Sequence, residues 1–240
     1  MQKQFVCIIP ARHESSRFPG KPLALIAGKP MIIWVIEHAN KSKYIKEALV
    51  ATDNEDIYKT VTDAGFKAVY TSKDCPNGSE RVAEVAARID DEWIFEMQGD
   101  QPMVTPEVID NFIDQALTSI SVNKEVEVVI PYAPISATQS QSKDILKVVV
   151  TESNRLVFQT RQPIQSGFRT LGLYLWSNKA LQNFASKQVS EIERIEDSHP
   201  IRLYVNDVYV QGVFIEDSSW VEVDRPEQIG EVESLINKSK

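Results

Sequence analysis

Strand-sized apolar runs alternate with helical periodicities through the first half of the chain, and this alternation restricts the fold more than any other feature. Residues 5–9 (FVCII), 48–51 (ALVA), 68–70 (AVY) and 93–95 (WIF) are short and bounded by polar or turn-forming residues, as buried strands are. Between them, Met31, Trp34, Val35 and His38 recur at helical spacing, as do Ile57, Val61 and Ala64. Val82, Val85, Ala86 and Ile89 fall on a third helical face, and Ile109, Phe112, Ile113 and Ala116 on a fourth. Strand–helix repetition of this kind needs crossover connections and builds a mostly parallel sheet covered by helices. The punctuation agrees. Pro30 is placed to open a helix, Gly65 to end one, and Asn77 with Glu80 three residues later resembles a capping box.

The second half reads differently. Runs at 126–130, 147–151, 156–158, 171–176, 208–215 and 221–223 are expected strands with few helices between them. A final helix, opened by Pro226 and Glu227, carries Ile229, Val232 and Ile236. The expected layout is one α/β domain over residues 1–240, a central sheet with a partly antiparallel arm.

Composition enters as a set of exclusions. The net charge of −8 argues against a general nucleic-acid binder, which needs a basic face. No apolar run approaches the 18 residues of a membrane span, and the first strand begins too early for a signal peptide. Cys7 and Cys75 lack the spacings of a disulfide framework or zinc site, which fits a reducing compartment. A cytoplasmic protein without membrane insertion is the expectation.

Against this acidic background the loop after the first strand stands out. From Pro10 to Pro22 it carries Arg12, Arg17 and Lys21, the hydroxyls of Ser15 and Ser16, and almost no aliphatic side chain. A cationic loop at the carboxyl end of a first strand suits a polyanion, because open α/β sheets bind ligands at that edge. A P-loop does not explain it: Gly20-Lys21 lacks the leading glycine, and Pro22 stands where Ser or Thr is required. No G-x-G-x-x-G follows any strand.

Asp100 lies just past the run at 93–95, on the same sheet edge, and Asp224 follows the run at 221–223. Two strand-end carboxylates beside a cationic loop are a donor set for Mg²⁺, which is commonly held by one or two carboxylates with phosphate oxygens and water. Each also has a plain structural reading. Asp100 can be a turn residue beside Gly99, and Asp224 can cap the last helix. His13, His38 and His199 share no metal-ligand spacing, no Ser/His/Asp arrangement is evident, and Glu191, Glu193 and Glu196 read as the acidic face of a short helix.

Taken together, PARHESSRFPGKPL, ATDNEDI, NGSERVAEV, MQGDQPM, LKVVV and VDRPEQI occur in the order seen in a known family. The chain resembles the 3-deoxy-D-manno-octulosonate (KDO) cytidylyltransferases, or CMP-KDO synthetases, over essentially its whole length. The resemblance implies a Rossmann-like nucleotidyltransferase fold with a dimerisation arm, hence a homodimer. It divides the chain into a nucleotide-binding half, 1–125, and a half for sugar binding, dimerisation and the second metal ligand, 126–240. The implied reaction is Mg²⁺-dependent transfer of CMP from CTP to the anomeric hydroxyl of a 3-deoxy-2-ulosonic acid, with release of pyrophosphate, for bacterial lipopolysaccharide or capsule. Carried over by motif, Pro10, Ala11, Arg12, Arg17, Lys21, Gly78, Ser79, Arg81 and Gln98 meet the nucleotide. Asp100 and Asp224 hold the metal and, with Arg12 and Lys21, form the catalytic set. Gln98, Arg161, Thr170, Tyr174, Glu193 and Glu196 form the sugar site.

The chain departs from the family pattern in places. Thr170 replaces a histidine before the strand Leu171-Gly172-Leu173-Tyr174, and His13 replaces a tyrosine after Pro-Ala-Arg. The segment around Asp224 reads E-V-D-R-P-E-Q. Loss of an imidazole at a sugar position leaves KDO and modified relatives such as 8-amino-KDO open as acceptor. The alternatives are a nucleotidyltransferase for another sugar acid, such as a sialic-acid-like sugar, and a catalytically silent nucleotide-sugar binding protein.

Overall fold

The computed structural model describes residues 4–14, 17–165, 167–216 and 221–238. Ser15 and Ser16 of the cationic loop lie outside the described residues. The chain forms two compact units, one made of residues up to 111 together with those from 219 onward, the other of residues 112–218. The units divide at 111/112, and the C-terminal segment belongs with the first.

The first unit is built from β1 (Phe5–Ala11), the two-residue strands β2 (Leu25–Ile26) and β3 (Lys29–Pro30), α1 (Met31–Lys41), β4 (Ile45–Thr52), α2 (Glu55–Asp63), β5 (Lys67–Tyr70), α3 (Gly78–Ala86), β6 (Trp93–Met97) and the start of α4 (Pro106–Val122). Four strands lie side by side in the order β6-β1-β4-β5, every pair parallel. All seven residues of β1 are buried, as befits a central strand of a parallel sheet covered on both faces. The chain runs outward from β1 to β4 and β5, then returns to lay β6 on the other side of β1. The strand order therefore reverses between β1 and β6, and the crevice outside their carboxyl ends is where such sheets bind ligands.

Local chemistry places these elements. The Asn54 side chain accepts from the backbone N–H groups of Asp56 and Ile57 and starts α2. Gly65, at φ +84°, ends that helix, its N–H donating to Thr62 O. Asn77 accepts from Glu80 N at the start of α3. Pro30 stands one residue outside α1, which begins at Met31.

Residues 221–223, expected as a strand, form none. Val223 N donates to Asp100 O (3.1 Å), and Val223 packs with Ile26, Met31 and Val232. The V-E-V alternation that looked like a strand reflects burial against this cluster. The closing helix, Gln228–Lys238, begins two residues later than expected because Pro226 and Glu227 lie in a turn.

The second unit holds the remainder of α4, then β7 (Val128–Pro134), α5 (Ala137–Gln141), β8 (Lys147–Val150), β9 (Arg155–Thr160), β10 (Phe168–Thr170), β11 (Leu173–Ser177), α6 (Asn178–Ser186), α7 (Glu191–Glu196), α8 (Ile201–Val205) and β12 (Val210–Phe214). Strand β7 pairs parallel with β12 and antiparallel with β11 and β10, while β12–β9, β9–β8 and β8–β10 are antiparallel. Because β10 meets both β8 and β7, five strands close on themselves and protect their edges. The antiparallel character was expected; helices α5 to α8 were largely not.

Candidate active site

The site in the first unit grows from the ends of β1 and β6. Strand β1 finishes with Pro10 and Ala11, both buried, and delivers an exposed Arg12. Beyond β6 come Gln98, Gly99 and Asp100. Gly99 is required by close approach: a Cβ there would lie 3.0 Å from Pro10 O and 3.4 Å from Ile32 Cδ1. Gly78, at the start of α3, is similarly confined, since a Cβ on it would lie 3.2 Å from both Gln98 Oε1 and Pro10 Cγ. These two glycines let three backbone segments meet at one edge of the sheet.

Lys21 lies in a short 3₁₀ turn, Lys21–Leu23, entered through Gly20 at φ +72°. Its Nζ donates to Asp100 Oδ2 at 2.7 Å and to Asp224 Oδ1 at 3.3 Å, and Arg17 Nη2 is 3.3 Å from the same Asp224 oxygen. Two carboxylates from distant parts of the chain thus converge on one ammonium. Burial by itself would lower the Lys21 pKa, but the charges of Asp100 and Asp224 outweigh it and hold the ammonium above its usual range. The bond from Val223 N to Asp100 O sets the spacing of the two aspartates. Asp224 does not cap the closing helix; Gln228 Oε1 accepts from the backbone N–H groups of Asp224 and Arg225, which leaves the Asp224 carboxylate to the cations.

The donor set is all oxygen, and both carboxylates reach a single cationic atom. This matches the modest protein share that Mg²⁺ takes. Among the described residues no group of three or more His, Cys, Asp or Glu side chains gathers as a larger metal site.

The segment 77–81 is placed differently from a simple row of ligand contacts. Ser79 and Arg81 are buried. Ser79 Oγ donates to Glu96 Oε1 at 2.8 Å, while Arg81 donates through Nη1 to Thr71 Oγ1 and through Nη2 to Asp53 Oδ2 at 3.1 Å. Arg81 therefore ties the ends of β4 and β5 to α3 and braces the loop leading into Gly78. Sequence reading singled out Ser79 and Arg81 but not these partners, since Asp53 and Thr71 look like ordinary loop residues. Glu96 did carry a signal, as a lone acid inside a buried run. Neither cysteine is an activated nucleophile: burial pushes the Cys7 thiol far up, and burial with the Glu84 bond pushes Cys75 to about 11.

The residues assigned to the sugar lie in the second unit. Thr170 and Tyr174 are buried at the ends of β10 and within β11. Arg161 donates through Nε to Asp197 O (3.0 Å) and through Nη1 to Asp144 O (2.8 Å). Glu196 Oε2 accepts from Thr160 Oγ1 (3.0 Å) and Arg161 N (2.7 Å). Glu193 is buried against Arg202, which meets both its oxygens, Nε at 2.9 Å and Nη2 at 2.6 Å. Arg161, Thr160 and Glu196 are thus one local network, and Glu193 belongs to a separate ion pair.

A parallel sheet with its switch point between β1 and β6, two acids and a cationic loop at that edge, and a mixed second unit define an α/β nucleotidyltransferase. A solved structure of CMP:2-keto-3-deoxy-manno-octonic acid synthetase complexed with CTP matches with a TM-score of 0.89 and 28% identity, covering 99% of this chain and 100% of that one. The fold alone is shared with a 4-diphosphocytidyl-2C-methyl-D-erythritol synthase from Anaerococcus prevotii, at a TM-score of 0.63 and 15% identity.

The cytidylyltransferase family model matches residues 6–223, and the chain belongs to the cytidylyltransferase family. A 3-deoxy-manno-octulosonate cytidylyltransferase of Bdellovibrio bacteriovorus is 32% identical over 98% of each chain. An 8-amino-3,8-dideoxy-manno-octulosonate cytidylyltransferase of Shewanella putrefaciens is 33% identical over 98% of this chain and 99% of its own.

Proposed function

We propose that the chain transfers CMP from CTP to the anomeric hydroxyl of KDO or its 8-amino relative. The hydroxyl oxygen attacks the α-phosphorus, the bond from that phosphorus to the bridging oxygen breaks, and pyrophosphate leaves as the hydroxyl proton is lost. The observation that carries this reading is the convergence of Asp100 and Asp224 on Lys21 at the switch point of a cytidylyltransferase-family sheet. Phosphoryl transfer is chiefly positioning and charge neutralisation, which accounts for a site of cations and carboxylates without a covalent nucleophile. Arg12, Arg17 and Lys21 supply positive charge for the triphosphate, and Asp100 and Asp224 are the residues that would hold Mg²⁺. When bound, Mg²⁺ supplies Lewis-acid charge to the phosphoryl oxygens and lowers the pKa of the attacking hydroxyl. Arginine suits bidentate capture of a sugar carboxylate, a role we assign to Arg161, while Thr170 and Tyr174 bear on the choice of sugar.

We further propose that the protein works as a cytoplasmic homodimer in lipopolysaccharide or capsule synthesis. Val149 and Phe158, cross-strand partners on β8 and β9, are 48% and 42% exposed, which supports a covered apolar face. Sedimentation velocity tests that point.

The reaction is tested by incubating the protein with CTP, Mg²⁺ and a panel of KDO, 8-amino-KDO and sialic acids while following pyrophosphate. Release with KDO or 8-amino-KDO supports the assignment. Release only with a sialic acid moves the acceptor to that class, and CTP binding without release with any acid leaves a binding protein.

A further inference from the structure

Within β6 the side chains from Ile94 to Met97 are all buried, and one of them is an acid. Glu96 is 0% exposed. A carboxylate in such a place is costly unless donors meet it. Ser79 Oγ donates to its Oε1 at 2.8 Å, and Gln98 Nε2 donates to the same oxygen at 2.5 Å. Glu96 thereby connects the first turn of α3 with the residue that leads into Gly99 and Asp100.

The contact with Gln98 has a directional consequence. An amide has its donors on nitrogen and its acceptor on oxygen, and here the nitrogen end meets the carboxyl group. The Gln98 nitrogen turns to Glu96, and the amide oxygen lies at the opposite end of the group. The surroundings agree: Gln98 Oε1 lies beside Gly78, 3.2 Å from where a Cβ on that glycine would sit, with the Pro10 ring equally close. Gly78 and Pro10 are the backbone walls of the site described above.

We propose that Glu96 is a positioning residue of the nucleotide site: by holding the Gln98 nitrogen it orients the amide so that its acceptor oxygen is presented to the ligand. A group that meets that oxygen is then itself a donor. In a nucleoside triphosphate that is a ribose hydroxyl or the exocyclic amino group of the base, because a phosphate oxygen would set acceptor against acceptor. The inference rests on the cytidylyltransferase reading of this site. A purely structural Glu96, serving only to satisfy Ser79 at the start of α3, would place no constraint on Gln98.

A double-mutant cycle separates the two. The full-length protein and its Glu96→Gln, Gln98→Ala and doubly substituted forms are compared by kcat/KM for CTP with Mg²⁺ and KDO, and by calorimetric titration with CTP alone. Glu96→Gln should cost about tenfold when Gln98 is present and less than about twofold when it is Ala, the coupling expected of two residues in one hydrogen-bond network. Equal losses in both backgrounds overturn the proposal. The calorimetric arm needs no sugar, so wild-type protein that binds CTP but makes no product defeats the assigned reaction while leaving this cycle readable. If Glu96→Gln does not fold, the ligand is varied instead. CTP, 2′-deoxy-CTP, 3′-deoxy-CTP and UTP are titrated into wild type and Gln98→Ala. One loss of a donor should weaken binding to wild type and be silent in Gln98→Ala, and which analogue does so tells ribose from base. If every analogue weakens both proteins equally, Gln98 presents no acceptor to the ligand and the proposal fails.

Discussion

Lys21 Nζ lies 2.7 Å from Asp100 Oδ2, joining residues 79 positions apart in the chain. That ion pair fastens the cationic loop after β1 to the end of β6, and Asp224 joins it from the C-terminal segment. The site is thereby assembled from three separate stretches whose contacts are ionic and whose support, through Val223 and Gly99, is backbone packing.

Removing either acid should remove function and spare the fold. Asp100→Ala and Asp224→Ala are each expected to lower kcat by about 10²-fold or more, the scale lost with one preorganised charge contact. Their urea midpoints should stay close to wild type, since Asp100 lies in the turn after β6 and Gln228, in place of Asp224, accepts at the start of the closing helix. Near-native turnover of Asp100→Ala at saturating Mg²⁺ would show that the metal assignment is wrong.

Gly99→Ala tests the close approach of β1 and β6. Its Cβ would press on Pro10 O at 3.0 Å, a backbone atom that can yield only by moving the strand end. Overpacking of this kind costs about 1–3 kcal/mol in urea unfolding, and CTP affinity should fall with it because Pro10 and Gln98 are displaced.

In the second unit the buried Glu193–Arg202 pair is expected to act on stability. Arg202→Met leaves Glu193 unpaired and should cost about 3–5 kcal/mol by urea denaturation, while replacing both partners with apolar residues should recover much of that. A change confined to the KM for the sugar, with stability intact, would place Glu193 in the sugar site instead.

Acid sensitivity should trace in part to His38. Its Nδ1 lies 3.0 Å from Val104 O, so the neutral ring donates there, and burial lowers its pKa below the ordinary 6.5 despite that bond. Between the folded value and 6.5 the unfolded chain binds more protons. Stability from this group is therefore complete above 6.5 and is lost as pH falls toward the folded value. His38→Gln should flatten the fall in urea midpoint across that window; an unchanged slope would assign it to other groups.

The parallel half of the fold was legible because its signals are local. Each buried run is short, each helix has its own period and stop, and Asn54, Gly65 and Asn77 act within a few residues of where they stand. Asp100 was readable as a strand-end acid for the same reason. The closure of β10 onto β7 was not, because pairing at long separation leaves no local mark. Helix α6 has only Ala180, Leu181 and Phe184 buried, too few to announce a period. Residues 221–223 show the converse failure: alternation reports burial of one side, and burial here comes from packing on Ile26, Met31 and Val232 without a strand. Arg81 and Glu193 carried family-derived roles that say nothing of their partners, and Asp53, Thr71 and Arg202 emerge only when the chain is folded.

The measurement that bears most directly on the account is product identification from CTP, Mg²⁺ and KDO or 8-amino-KDO by mass spectrometry, alongside pyrophosphate release. The account predicts a CMP-linked sugar acid formed in equal amount with pyrophosphate, and neither product from Asp100→Ala. Pyrophosphate without a CMP-linked sugar, or no product with either acid from protein that binds CTP, would contradict it.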